Sequence, residues 1–134
     1  MEIIYRRYLS MIMVFCLVLI FDQYLKIRAV LAYRYLLNDK AVFGLLGNNS
    51  LALVIGVIFV LAIIYLIFFR KLIQLPLAVL LAAVLSNLID RLIYKGVVDY
   101  WNFFGWFRFN FSDLLIVAVV VYYLVAFVKT KNSS

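Results

Sequence analysis

The stretch LALVIGVIFVLAIIYLIFF-RK-LIQLPLAVLLAAVLSNLIDR, Leu51 to Arg91, holds two long apolar runs separated by one basic pair, Arg70-Lys71. A membrane-spanning helix needs roughly 20 mostly apolar residues, with a range of about 17–25. Leu51 to Phe69 meets this without a polar interruption. Leu72 to Ile89 meets it with Pro76 in its first turns, where a helix tolerates proline. So short a connection predicts an antiparallel helical hairpin. Upstream, Tyr8 to Ile27 is a further apolar run that carries Asp22 near its end. Downstream, Leu114 to Val128 is another, short unless Phe109 to Asp113 continues it. The expected fold is therefore an all-α membrane protein of one domain, 1–134. Its four transmembrane helices fall at about 8–27, 51–69, 72–91 and 112–128. With an even number of spans, the two longer connections, Arg28 to Ser50 and Leu92 to Phe111, lie on the same side. They form an extracytoplasmic loop or platform region.

The 134 residues are 69% hydrophobic, with a mean hydropathy of +1.15. The formal net charge is +7, and its placement matters more than its size. The pairs Arg6-Arg7 and Arg70-Lys71 flank span ends on one side and favour both termini in the cytoplasm. Lys26, Arg28, Arg34, Lys40, Lys95 and Arg108 lie on the other side, where they can meet lipid phosphates. Nucleic-acid binding is not expected, because no basic run is long enough and no soluble domain presents one. Arg6-Arg7 followed by an apolar stretch resembles a signal peptide. The exit Phe21-Asp22-Gln23-Tyr24 offers no small-residue cleavage site, so the segment reads as a retained signal-anchor helix. Cys16 is the only cysteine, which excludes an internal disulfide and any cysteine metal cluster. The chain has no histidine, so a Ser-His triad, a His-ligated zinc site and an H-E-x-x-H helix are excluded as well.

Apart from Glu2, the acidic residues are five aspartates: Asp22, Asp39, Asp90, Asp99 and Asp113. Ionised carboxylates are costly near a bilayer and need partners. Asp22 has Lys26 one helical turn on, which reads first as a local ion pair. Asn87, Asp90 and Arg91 are spaced to share a helix face. They can hold helix ends together as a buried Arg-Asp pair with an amide neighbour, or they can take part in chemistry. Asp99 follows the extended Gly96-Val97-Val98, with no cation within three residues. Asp113 opens the last span and can be a helix-start residue, with Asn110 as N-cap. Between Asp99 and Asp113 lies a dense aromatic set from Tyr100 to Phe111, either an interfacial belt or a platform over a site. If Asp99 and Asp113 converge, two carboxylates at close range share one proton. One can then act as base toward a water and the other as acid. That is aspartic hydrolase chemistry, and it requires no metal or other cofactor.

Four pieces of the chain, in order, resemble lipoprotein signal peptidase, the signal peptidase II family. Phe21-Asp22-Gln23-Tyr24-Leu25-Lys26 resembles its D-Q-x-x-K end of the first helix, and Asn38-Asp39-Lys40-Ala41-Val42-Phe43-Gly44 its N-x-G-x-A-F-G loop. Ser86-Asn87-Leu88-Ile89-Asp90-Arg91 with Gly96-Val97-Val98-Asp99-Tyr100 resembles G-N-x-x-D-R-x-x-x-G-x-V-x-D-F. Phe109-Asn110-Phe111-Ser112-Asp113 resembles F-N-x-A-D. The resemblance implies a monomeric intramembrane aspartyl endopeptidase of the bacterial cytoplasmic (inner) membrane. It would cut a prolipoprotein signal peptide just before the diacylglyceryl-modified cysteine, with its site at the extracytoplasmic face. It places the catalytic pair on Asp99 and Asp113. Asp22, Lys26, Asn38, Asn87, Asp90, Arg91 and Asn110 match substrate-binding or supporting positions. Membrane lipids and globomycin-type inhibitors are the other implied partners. Lys40, Ala82, Ala83, Ser86, Tyr100 and Ser112 depart from the family pattern, and none of them removes a carboxylate. The rival reading is a non-catalytic lipoprotein- or lipid-binding homologue, or a small membrane assembly factor. A proton-coupled carrier would want its carboxylates near the bilayer midplane, and here they cluster toward one end.

Overall fold

The computed structural model describes residues 1–40, 47–69 and 74–132. The Arg70-Lys71 pair and the Ala41 to Gly44 part of the loop motif lie outside them. The order of elements is α1 (Glu2–Leu31), β1 (Leu36–Asn38), α2 (Asn49–Phe68), α3 (Leu75–Tyr94), β2 (Val97–Asp99), β3 (Trp101–Phe103), β4 (Phe107–Phe109) and α4 (Phe111–Asn132). All four helices are long and apolar enough to cross a membrane. The helix bounds differ from the sequence reading. Helix α1 begins at Glu2 and runs for 30 residues. Helix α4 begins at Phe111, so the polar run before Leu114 does belong to it.

Helix α3 is the hub, touching α1, α2 and α4. The reason lies in its small residues. Ala78, Ala82, Ala83 and Ser86 are all buried, and small side chains let neighbouring backbones approach closely. Gly56 does the same on α2, where a Cβ would meet Leu88 Cδ2 at 2.6 Å. At one end of the bundle the packing is apolar, with Met11, Ile63, Ile67, Leu77 and Ala78 forming a cluster. At the other end lie the buried polar residues: Asp22, Lys26, Ser86, Asp90, Arg91, Asp99, Asn110 and Ser112.

Short strands cap that polar end. Lys95, in the left-handed region at φ 63°, ends α3 and turns the chain into β2. Strand β1 pairs antiparallel with β2, setting Leu36 opposite Asp99 and Asn38 opposite Val97. Gly96 allows that approach, since a Cβ there would lie 3.2 Å from the Asn38 carbonyl oxygen. Strands β3 and β4 form a separate hairpin, with Trp101 opposite Phe109. Phe104 and Gly105, the first two of the three residues that join the strands, both have positive φ, and the Trp106 N–H closes the turn on the Phe103 carbonyl at 2.9 Å. Phe103, Phe104 and Trp106 are exposed there.

Candidate active site at the polar end of the bundle

Asp99 ends β2 and is 2% exposed. Both of its carboxylate oxygens accept from amides: Oδ1 from Asn110 Nδ2 at 2.8 Å and Oδ2 from Asn38 Nδ2 at 3.2 Å. Asp113 is half-buried at the third position of α4. Its backbone N–H donates to Asn110 Oδ1 at 3.0 Å, and its Oδ2 accepts from the Asn110 N–H at 3.3 Å. This reciprocal pair is a capping box, as the spacing suggested. Asp113 Oδ1 is left to accept from Asn87 Nδ2 at 3.1 Å.

Each of the three amides is turned by what its oxygen accepts. The Lys40 N–H holds Asn38 Oδ1 at 3.1 Å, Lys26 Nζ holds Asn87 Oδ1 at 2.8 Å, and the Asp113 N–H holds Asn110 Oδ1. The NH2 ends must therefore point at the aspartates. Burial pushes the Asp99 carboxyl up to about 6, and the nearby Asp113 charge adds to this; the Asn110 and Asn38 donors and Lys26 act the other way. Asp99, Asp113, Asn38, Asn87 and Arg91 all line one cavity of about 230 Å³, together with Lys40, Val97 and Ile116. A wider groove of about 470 Å³ continues between β1 and the hairpin.

Beneath the cavity lies a buried ionic layer. Lys26 Nζ, on a side chain 1% exposed, contacts Asp22 Oδ2 at 2.9 Å and Asp90 Oδ2 at 2.8 Å. Asp90 Oδ2 also accepts from the Val98 N–H at 3.1 Å, tying α3 to β2. Asp22 Oδ1 accepts from the Ser112 N–H at 3.0 Å, tying α1 to α4. The first turn of α4 is thereby saturated: Phe111 N–H donates to the Tyr100 hydroxyl at 3.1 Å and Leu114 N–H to the Asn110 carbonyl at 3.4 Å.

A family model described as signal peptidase (SPase) II matches residues 11–129. The chain belongs to the signal peptidase II family. The lipoprotein signal peptidase of Campylobacter jejuni is 33% identical over 140 residues, covering 88% of this chain and 86% of that protein. That of Moorella thermoacetica is 41% identical over 93 residues, covering 65% and 61%. That of Wolinella succinogenes is 49% identical over 61 residues, covering 42% of each. The matches to the Moorella and Wolinella proteins thus span less than two thirds of those relatives. A bacterial membrane enzyme solved at 2.3 Å by the in meso method shares the fold, with a TM-score of 0.79 at 24% identity, covering 93% of this chain and 91% of the other. A second, solved at 1.9 Å, has a TM-score of 0.70 at 25% identity, covering 90% and 93%. With its four apolar helices, the chain is an integral membrane protein.

Against the reading of the spacing in the sequence, the structure corrects one pairing and adds residues. Arg91 does not pair with Asp90. Its guanidinium donates to the Lys40 carbonyl at 2.7 Å and to the Asn38 carbonyl and Asn49 Oδ1 at 3.3 Å. Neighbouring residues on a helix do not face each other, so Asp90 turns to Lys26 and Arg91 to the β1 loop. The Asp22–Lys26 pair is local, but it is also half of an interhelical triad. Gln23, Ser86, Asn49 and Tyr100 were missed as supporting residues. Gln23 Nε2 bonds Ser86 Oγ at 2.8 Å and Asp90 Oδ1 at 3.1 Å, and Ser86 Oγ donates to Asp22 Oδ2 at 2.5 Å. A polar side chain inside an apolar segment was the available signal for Gln23 and Ser86.

Ser112, where the signal peptidase II pattern has alanine, is fully buried, and its Oγ has no hydrogen-bond partner among the described residues. Ser112→Ala removes that unpaired hydroxyl and keeps the backbone bond to Asp22. The melting temperature is expected to stay level or rise, by up to about 1 kcal/mol of stability. A clear drop in thermal unfolding of the purified variant would show that the hydroxyl is bonded after all.

Proposed function

We propose that this protein is an aspartyl endopeptidase that removes signal peptides from diacylglyceryl-modified prolipoproteins, cutting before the lipidated cysteine. Asp99 and Asp113 are the catalytic residues in this reading. The observation that carries it is their shared cavity, in which each carboxylate meets amide donors. The local charge supports it too. Four carboxylates, Asp22, Asp90, Asp99 and Asp113, stand near two enclosed cations, Lys26 and Arg91. A proton shared by Asp99 and Asp113 relieves that excess.

In the mechanism, the ionised member takes a proton from a water whose oxygen attacks the scissile carbonyl carbon. The protonated member gives its proton to the carbonyl oxygen, leaving a gem-diol. Collapse of the diol breaks the C–N bond. The cysteine nitrogen takes up a proton from the pair as it leaves, and a hydroxyl proton returns to the pair. Asn38, Asn87 and Asn110 orient the carboxylates, and Lys26, Asp22, Asp90 and Arg91 hold the elements that carry them.

The same reading puts the termini in the cytoplasm and the site at the outer face of a bacterial inner membrane, in a monomer surrounded by lipid. A globomycin-type inhibitor would occupy the cavity. Purified protein incubated with a lipidated prolipoprotein should release its signal peptide, detected by mass spectrometry, and should cut the unlipidated form more slowly. Binding of the lipidated form without cleavage would instead establish the non-catalytic homologue.

A further inference from the structure

We propose that Lys40 and Arg108 make this site prefer substrates with an acidic side chain shortly after the cleaved bond. This deepens the peptidase reading and rests on it. The cavity beside the aspartates and the wider groove share Asn38, Lys40 and Asp99, so a chain lying in the groove passes the carboxylate pair. Their linings differ. Val97 of β2 and Ile116 of α4 give the cavity an apolar part of its lining, which suits an apolar signal segment. The groove runs between Leu36 and Leu37 of β1 and Asn102 and Arg108 of the hairpin, and it suits the polar residues that follow the cut.

Lys40 and Arg108 both line that groove. Among the described residues neither side-chain cation is hydrogen-bonded or ion-paired. Lys40 is anchored by its backbone instead: its carbonyl accepts from Arg91 and its N–H donates to Asn38. The side chain is therefore held at the mouth of the site with its charge unspent. The signal peptidase II pattern has glycine at this position, so the charge is a property of this chain. Asp39 and Asp99 line the groove as well, so its formal charges cancel when both are ionised. Asp99 is 2% exposed and its oxygens are taken by Asn38 and Asn110, so the charges that an incoming side chain meets are Lys40, Arg108 and Asp39, and these favour an anion over a cation. A solvent-accessible ion pair is worth at most about fivefold in affinity. Attraction of an acidic residue and repulsion of a basic one both widen the ratio between them.

The test uses three versions of one lipidated prolipoprotein, with Asp, Ser or Lys in the residues after the cysteine. They compete for the purified protein in a neutral detergent. The wild type should prefer Asp over Lys by about fivefold or more in kcat/KM, and added salt should shrink the ratio. Lys40→Gln should lose a large part of the preference, and the Lys40→Gln/Arg108→Gln double variant nearly all of it. Equal cleavage by the wild type overturns the inference, as does a ratio that survives in either variant. Loss of the wild-type preference on adding phosphatidylglycerol also overturns it, because the cations then serve lipid phosphate. If the wild type cuts none of the three versions, the peptidase reading itself falls and takes this inference with it.

Discussion

Asp99→Asn and Asp113→Asn are each expected to slow prolipoprotein cleavage by a hundredfold or more while leaving a folded protein that binds substrate. Asparagine keeps the side-chain shape and cannot carry the shared proton. It also costs some stability. At both positions the two carboxylate oxygens accept from separate donors, and asparagine has one acceptor oxygen to offer. Turning Asn38 or Asn87 to compensate would break its bond to the Lys40 N–H or to Lys26, at roughly 1 kcal/mol. That loss is small beside the loss of rate. If Asp113 were only a helix-start residue, asparagine would be nearly harmless there, since even alanine at a cap costs about 1 kcal/mol. Asp22→Asn should keep more activity than either variant, although it weakens the tie between α1 and α4. Near-normal turnover by Asp99→Asn or Asp113→Asn would end the aspartyl reading.

The Asp99 variant carries a second signature. Burial raises the Asp99 carboxyl to about 6, from about 4 in an unfolded chain. Between those values the folded state binds more protons, so stability falls as pH rises from about 4 to about 6. The contribution is on the order of 3 kcal/mol. Asp99→Asn should flatten that part of the stability-versus-pH curve, and an unchanged slope would place the titration on another group.

Lys26→Met is expected to have the largest effect on folding. It leaves Asp22 and Asp90, both fully buried, without their shared cation. Breaking a buried ion pair costs about 3–5 kcal/mol. The variant should accumulate poorly or lose ten degrees or more of thermal stability. Asp90→Ala should be milder. It leaves a neutral Asp22–Lys26 pair, and Arg91 keeps its own partners. Its cost comes from orphaning the Val98 N–H and opening a small cavity, about 1–3 kcal/mol. Equal melting temperatures for the two variants would show that Lys26 is not the centre of the layer.

The four spans were legible because the apolar runs are long and Arg70-Lys71 divides two of them. The Asn110–Asp113 cap was legible because its spacing is local, and the resemblance named the residues that the structure brings together. What spacing could not give was contact across helices. Lys26 shows its Asp22 partner one turn away in the sequence. Its Asp90 partner depends on how closely α1 packs on α3, and that depends on Ala82, Ala83 and Ser86. The expected Asp90–Arg91 pair ignored the turn between adjacent helix residues. The β1–β2 pairing was hidden because three-residue strands carry almost no periodic signal.

The saturated first turn of α4 has a consequence for timing during synthesis. Asp113 is set by groups from α1, the β2–β3 connection and α3, and α4 follows all of them along the chain. A nascent chain holding only the first three helices has Asp99 but no partner for it. In the aspartyl reading, hydrolytic competence arrives only when α4 has closed on the other three helices. In that reading a half-built copy, exposed among other newly inserted segments, lacks half of the pair needed to cut them.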